Sequence, residues 1–269
     1  MAEGNGGGMG ELRVMTWNVW WRFGALWVAR FEAIAETVRA VAPDVVALQE
    51  VWGTRATNQV SALGGELGMH AEYAGPSYPP PTDVARDPRD AGVEVGIGLL
   101  SRWPITGWRA VRMPARHRSF DPVAAVATVA HPAGPLHVVV GCLEYDPAYN
   151  DDRLAQAALL ADLATDPALD GPLPIIVAGD LNAPPGSPLL RPLTDVLTDA
   201  WIAGSGDATT VTAPEEAGPE LVGQRIDHVF FRPGMFNRPV TVSQASTAGD
   251  PIDGITPSDH RAVICSLTF

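Results

Sequence analysis

Apolar positions along this chain follow two periods, and the changes between them outline the elements. Residues 12–20, LRVMTWNVW, read as a first strand. Val28, Phe31, Ile34, Ala35, Val38 and Val41 then recur at helical spacing until Pro43 stops the helix. Residues 44–52, DVVALQEVW, read as a buried strand that ends in a glutamate, and a second helix is expected over residues 54–67. Residues 75–90 are dense in Pro and Asp and read as an exposed loop. GVEVGIGLLSRWPITGWRAVRM reads as strand, break at Trp103-Pro104, strand. PVAAVATVAHPAGPLHVVVGCL reads as a hairpin turning over residues 132–135. NDDRLAQAALLADLAT has acidic residues in its first turn and apolar residues at i, i+3 and i+4, which predicts a helix. LPIIVAGDLN, QRIDHVFFR, PVTVSQAS and DHRAVICSLTF complete the strands. Strands alternate with helices, but hairpins are mixed in. That pattern predicts an α/β fold of two packed sheets with parallel and antiparallel pairing, covered by helices.

Composition narrows the chemistry. With 269 residues, 46% of them hydrophobic, the chain can bury a large core without staples. Its net charge of -13 argues against indiscriminate duplex binding, which needs many cationic phosphate contacts. Lys is absent and all 18 cationic side chains are Arg, which removes Schiff-base chemistry and the phosphate-binding lysine of a P-loop. Cys142 and Cys265 each sit in an apolar strand-like run and are expected to be buried thiols, not a disulfide. MAEGNGGGMGE at the amino end reads as a flexible Gly-rich tail over residues 1–11. No apolar run is long enough for a spanning helix, so a cytoplasmic protein is expected.

The apolar runs end in one kind of residue. Asn18, Glu50, Asp180 with Asn182, Asp227, and Asp259 with His260 all stand at strand ends and can converge on one rim of a sheet. Singly, each reads as a turn or a helix cap. Carboxylates brought together repel, so such a cluster needs a cation to stay ionised. Oxygen ligands select Mg²⁺ or Mn²⁺ over Zn²⁺, and no His/Cys zinc spacing occurs. A divalent ion beside Asn and His donors suits a phosphoester.

TWNVW, LQEVW, GIGLLSRWPI, GDLNAPP, RIDHVFF and SDHRAV, in that order, resemble the endonuclease/exonuclease/phosphatase superfamily. That superfamily includes pancreatic deoxyribonuclease, AP endonucleases, neutral sphingomyelinases and inositol polyphosphate 5-phosphatases. The resemblance implies a four-layer α/β/β/α sandwich, two mixed sheets face to face with helices outside, forming a single catalytic domain over residues 12–269. It implies Glu50 as principal metal ligand, with Asn18 and Asp259 at the metal site. It implies that Asp180 orients or deprotonates water, that Asn182 donates to phosphate, and that Asp227 holds the tautomer of His260. The general base stays open between Asp180 and His260.

The chain departs from the family at Cys142, where most relatives carry a His. A thiol is a weak donor, so either Cys142 only packs or the donor role moves to Glu144, Tyr145 or Asn150. Substrates with acidic leaving groups are then expected to react best. Arg109, Arg112, Arg116, His117 and Arg118 form a cationic run that is either a solvated hairpin or an arm for an anionic substrate. Trp20, Trp21, Phe23 and Trp27 form either core or an aromatic wall beside Asn18. His70, His131 and His137 read as structural, and alternation turns His228 away from Asp227. The expected activity is metal-dependent hydrolysis of a small-molecule or lipid-headgroup phosphoester. The alternatives are a nuclease for short or single-stranded substrates, a membrane-surface lipase using the Trp cluster, and a binding module that kept the fold. No protein partner is expected.

Overall fold

The computed structural model describes residues 10–24, 26–78, 88–215, 221–235 and 238–269. Strand β1 (Glu11–Asn18) is followed by α1 (Trp27–Val41), β2 (Val45–Gly53), α2 (Gln59–Leu67), β3 (His70–Tyr78) and β4 (Glu94–Ser101). Next come β5 (Ile105–Arg112), β6 (Val123–His131), β7 (Gly134–Cys142), α3 (Asn150–Ala164) and β8 (Ile175–Asp180). The chain ends with α4 (Arg191–Thr194), β9 (Thr198–Asp199), α5 (Ala200–Ala203), β10 (Asp227–Arg232), β11 (Thr241–Ala248) and β12 (Ala262–Thr268).

These strands make two six-stranded sheets, ordered β11-β12-β1-β2-β4-β3 and β5-β6-β7-β8-β10-β9. Each sheet has one parallel pair, β1 with β2 and β7 with β8. Each pair is joined through a helix, α1 or α3, as a parallel connection requires. The break at Trp103-Pro104 is where the chain leaves the first sheet and enters the second.

Alternation along the strands builds the layers. Leu12, Val14, Val45 and Ala47 face Val138, Val140, Ile176 and Ala178 across the inter-sheet core. Their neighbours Met15, Trp17, Val46 and Leu48 face outward, onto Ile34, Val38, Val60 and Leu63 of α1 and α2. On the other side Val139, Val177 and Phe230 meet Leu160, Ala164 and Leu193 of α3 and α4. The result is a four-layer α/β/β/α sandwich.

Four boundaries differ from the sequence expectation. Gly10 exchanges backbone hydrogen bonds with Phe269, and Glu11 opens β1, so pairing begins inside the expected tail; residues 1–9 lie outside the described residues. The second helix starts at Gln59, capped by the Asn58 carboxamide, because Thr54 closes a turn onto Thr57 first. Strand β3 runs on to Tyr78, into the expected loop, because Pro76 lies where β3 meets β4 irregularly. Strand β1 stops at Asn18, because Trp20 and Trp21 have positive φ.

Candidate active site

The parity that builds the inter-sheet core also aims the polar strand ends. Asn18 shares the face of Val14, Asp180 that of Ala178, and Asp227 that of Val229. Asp227 is the partner of Asp180 in the antiparallel ladder, so two carboxylates lie side by side. The edge collects the carboxyl ends of β1, β2, β7 and β8 with the amino ends of β10 and β12. Hence GDLN closes β8, whereas Asp227 opens β10 and SDH precedes β12.

Glu50 arrives by a different device. It is the extra residue of a β-bulge, left between Gln49, paired with Ile97, and Val51, paired with Gly96. Its φ is 51°, which is uncommon outside glycine and asparagine. Asn18 ties the sheets together. Its Nδ2 donates to Glu50 Oε1 at 2.9 Å and to Asp180 Oδ2 at 3.1 Å.

His260 Nδ1 donates to Asp227 Oδ2 at 3.0 Å, and its Nε2 lies 3.9 Å from Asp180 Oδ2. Ligand atoms of Asp180, Asp227 and His260 fall within 4.8 Å of one another. Burial works against charge on His260, but Asp227 and Asp180 outweigh it and hold the imidazole up at about 10. Burial, then Asp259, push Glu50 up to about 7. Burial, then Asp227, push Asp180 up to about 6. Burial also raises Asp259. Carboxylates that resist ionisation together fit a divalent cation, and Asp227 Oδ1 is buried without a hydrogen-bond partner. The oxygen-rich set suits Mg²⁺ or Mn²⁺.

Asn182 stands at φ 47° and donates Nδ2 to Leu143 O at 2.9 Å. Its backbone N–H donates to Asp180 Oδ1 at 3.0 Å. Four residues outside the expected set hold this arrangement. Ser258 donates to Asn18 O at 2.6 Å and accepts from His260 N. Thr212 accepts from the backbone of Ile226 and Asp227. Buried Arg30 donates to the carbonyls of Trp20, Trp21 and Phe23. Buried Arg153 joins Glu144 O to Asn182 O. Both arginines had a signal in the sequence: each falls on the apolar stripe of its helix, Arg30 with Ile34 and Arg153 with Ala157 and Leu160.

Several expected substrate contacts are arranged otherwise. Trp21 is buried in the inter-sheet core with its indole N–H on Glu94 O, so it forms no wall; Trp20 is half-buried under the Arg30 guanidinium. Cys142 is buried beside Asp180 on the inter-sheet face. Glu144 is buried, and its carboxylate oxygens accept from Arg118 and from the backbone of Tyr145 and Asp146. The cationic run is mostly paired: Arg112 with Asp121, Arg116 and His117 with Asp151, Arg118 with Glu144. Asp152 accepts the backbone N–H groups of Arg116 and His117. His228 points away from the site, its Nε2–H on Ala183 O and its Nδ1 accepting from Arg225.

The chain matches the profile of the Endonuclease/Exonuclease/phosphatase family over residues 15–260, and it belongs to that family. It is accordingly a metal-dependent phosphoester hydrolase. D. rerio TDP2, solved with a single strand DNA product, is 18% identical, with coverage of 96% of this chain and 99% of that one and a TM-score of 0.74. An endonuclease/exonuclease/phosphatase from Beutenbergia cavernae is 24% identical, covering 96% and 72%, with a TM-score of 0.72. The human Nocturnin catalytic domain is 21% identical, covering 96% and 94%, also at 0.72. A search of curated proteins found no match. Among the described residues no helix is long and apolar enough to cross a membrane.

Proposed function

We propose that this edge hydrolyses phosphodiesters of small molecules or short single strands by in-line attack of water. The observation that carries the reading is the buried cluster of Asp180, Asp227 and His260, joined to Glu50 through the Asn18 carboxamide. Glu50, Asp259 and Asn18 would hold Mg²⁺ or Mn²⁺, which when bound supplies positive charge to a non-bridging phosphate oxygen.

The chain's own groups divide the remaining work. His260, held up at about 10 by Asp227 and Asp180, carries its proton at neutral pH. It is placed to serve as a donor to phosphate. Asp180, raised to about 6, is ionised at neutral pH yet basic enough to take a proton from water. Asn182, fixed by Leu143 and Arg153, presents its amide to a phosphate oxygen. With a buried thiol at Cys142 and Glu144 occupied, leaving-group protonation is weakly provided. Aryl diesters should therefore outpace alkyl diesters steeply. A single-stranded nucleic acid belongs in the same panel because the D. rerio TDP2 structure holds such a product.

The test is turnover of bis-p-nitrophenyl phosphate with Mn²⁺ or Mg²⁺, expected to vanish in EDTA. Asp180→Ala and His260→Ala should each cost at least about 10²–10³ in kcat. Substantial residual activity in both folded variants would overturn the assignment.

A further inference from the structure

We propose that Tyr145 is the specificity-determining residue of this site, a platform on which the planar ring of an aryl or nucleoside phosphoester stacks. The proposal rests on the hydrolase reading above and names the substrate class.

Four planar groups lie in a row beyond the end of β7. His117 stacks on Tyr149 with ring centroids 4.6 Å apart and planes 9° from parallel. The Arg118 guanidinium lies 4.9 Å from the Tyr149 ring and 4.9 Å from the Tyr145 ring. Tyr145 is 51% exposed.

The row is anchored from below. Glu144 is 1% exposed and accepts from Arg118 Nε at 2.8 Å and from Arg118 Nη2. The same carboxylate accepts the backbone N–H groups of Tyr145 and Asp146, each at 3.0 Å. Neither the guanidinium nor the Tyr145 backbone can swing away without unpairing a buried charge, so the platform is preorganised.

It is also tied to the phosphate-binding group. Asn182 donates to Leu143 O at 2.9 Å, and Arg153 joins Glu144 O at 2.6 Å to Asn182 O at 2.7 Å. Tyr145 follows Leu143 by two residues, so its backbone lies no more than about 7 Å along the chain from that contact. On the hydrolase reading, a phosphate held by Asn182 would place its ester substituent near the segment that carries Tyr145.

The chemistry of the row selects an aromatic group over a second phosphate. Arg116 and His117 face Asp151 and Arg118 faces Glu144, so the cations here are already matched. What stays exposed is a tyrosine ring within cation–π distance of Arg118. Tyrosine gives large contact area at low rotamer cost and stacks on any flat ring.

The test is equilibrium binding in Mn²⁺ with two pairs of probes, thymidine 5′-monophosphate against ribose 5-phosphate, and phenyl phosphate against methyl phosphate. The wild type should favour the ring-bearing member of at least one pair. Tyr145→Ala should shrink that preference about tenfold or more, and Tyr145→Phe should keep it. The pair that responds identifies the ring as a nucleobase or an aryl group. No preference in either pair, or a preference that survives Tyr145→Ala, would overturn the proposal. Binding with the expected preference but no Mn²⁺-dependent turnover of bis-p-nitrophenyl phosphate would instead overturn the hydrolase reading. Melting curves confirm that both variants fold.

Discussion

At the scale of the residue, the site is a set of groups that shift one another's protons. Asp227 and His260 act as a unit, so their losses should not add. Asp227→Asn and His260→Gln should each lower kcat by about 10²–10³, and the double variant should be little worse than either, as steady-state kinetics will show. Glu50 gives a pH signature. Metal and proton compete for its carboxylate, so apparent Mn²⁺ affinity should fall about tenfold per pH unit below about 7 and level off above it. Without metal the sign of the stability effect is opposite to that of an ordinary paired carboxylate. The folded protein holds the Glu50 proton more tightly than the unfolded chain, which raises the carboxyl from its ordinary 4.5 up to about 7. That stability is present at low pH and lost as pH rises through 7. Melting curves of the metal-free protein should show it, and Glu50→Gln should flatten the slope. The identities of Asn18, Glu50, Asp180, Asn182, Asp227, Asp259 and His260 were legible in the sequence because apolar runs stop at each of them. Their proton affinities were not, because those depend on which carboxylates end up adjacent.

At the scale of the element, small residues decide how close backbones come. Gly141 and Gly179 are register partners in β7 and β8, and a Cβ on Gly179 would lie 2.0 Å from the Gly141 carbonyl oxygen. The neighbour is backbone and cannot yield. Gly179→Ala should cost about 3 kcal/mol or more, and it should displace Asp180, which is the next residue. Gly65 is the contrast: it sits inside α2 with nothing within 4 Å of a built Cβ. Gly65→Ala should stabilise by about 0.5–1 kcal/mol, measurable by urea unfolding of both variants. Most strands and helices were legible from period alone. Strand β3 was not, because Gly75, Pro76 and Ser77 carry the composition of a loop. Its pairing with β4 and the Tyr73 ring lying across Gly53 and Gly96 outweigh local propensity.

At the scale of the whole molecule, a net charge of -13 surrounds a site built to receive an anion. A substrate with one phosphate should be little affected by salt, whereas a long polyanion would depend on it steeply. The expected result is that kcat/KM for bis-p-nitrophenyl phosphate changes less than about twofold between 50 and 200 mM salt. A long single strand should be cleaved poorly across the same range, with gel assays as the readout. Arg112, Arg116 and Arg118 are turned instead toward Asp121, Asp151 and Glu144.

By itself the sequence determined the chemistry and the class of fold. Apolar period set strand and helix, the parity of each strand chose the face of its terminal residue, and the ordered motifs carried the family. These are local properties, readable because side-chain direction along a strand or helix follows from backbone geometry. Tertiary structure alone decided what those residues touch. It put Asp227 against Asp180, re-aimed Glu50 through a bulge, buried Trp21, and used Glu144 to fix Arg118 beside two tyrosines. Such pairings join residues far apart in the chain, and their energies depend on distances that no local pattern encodes.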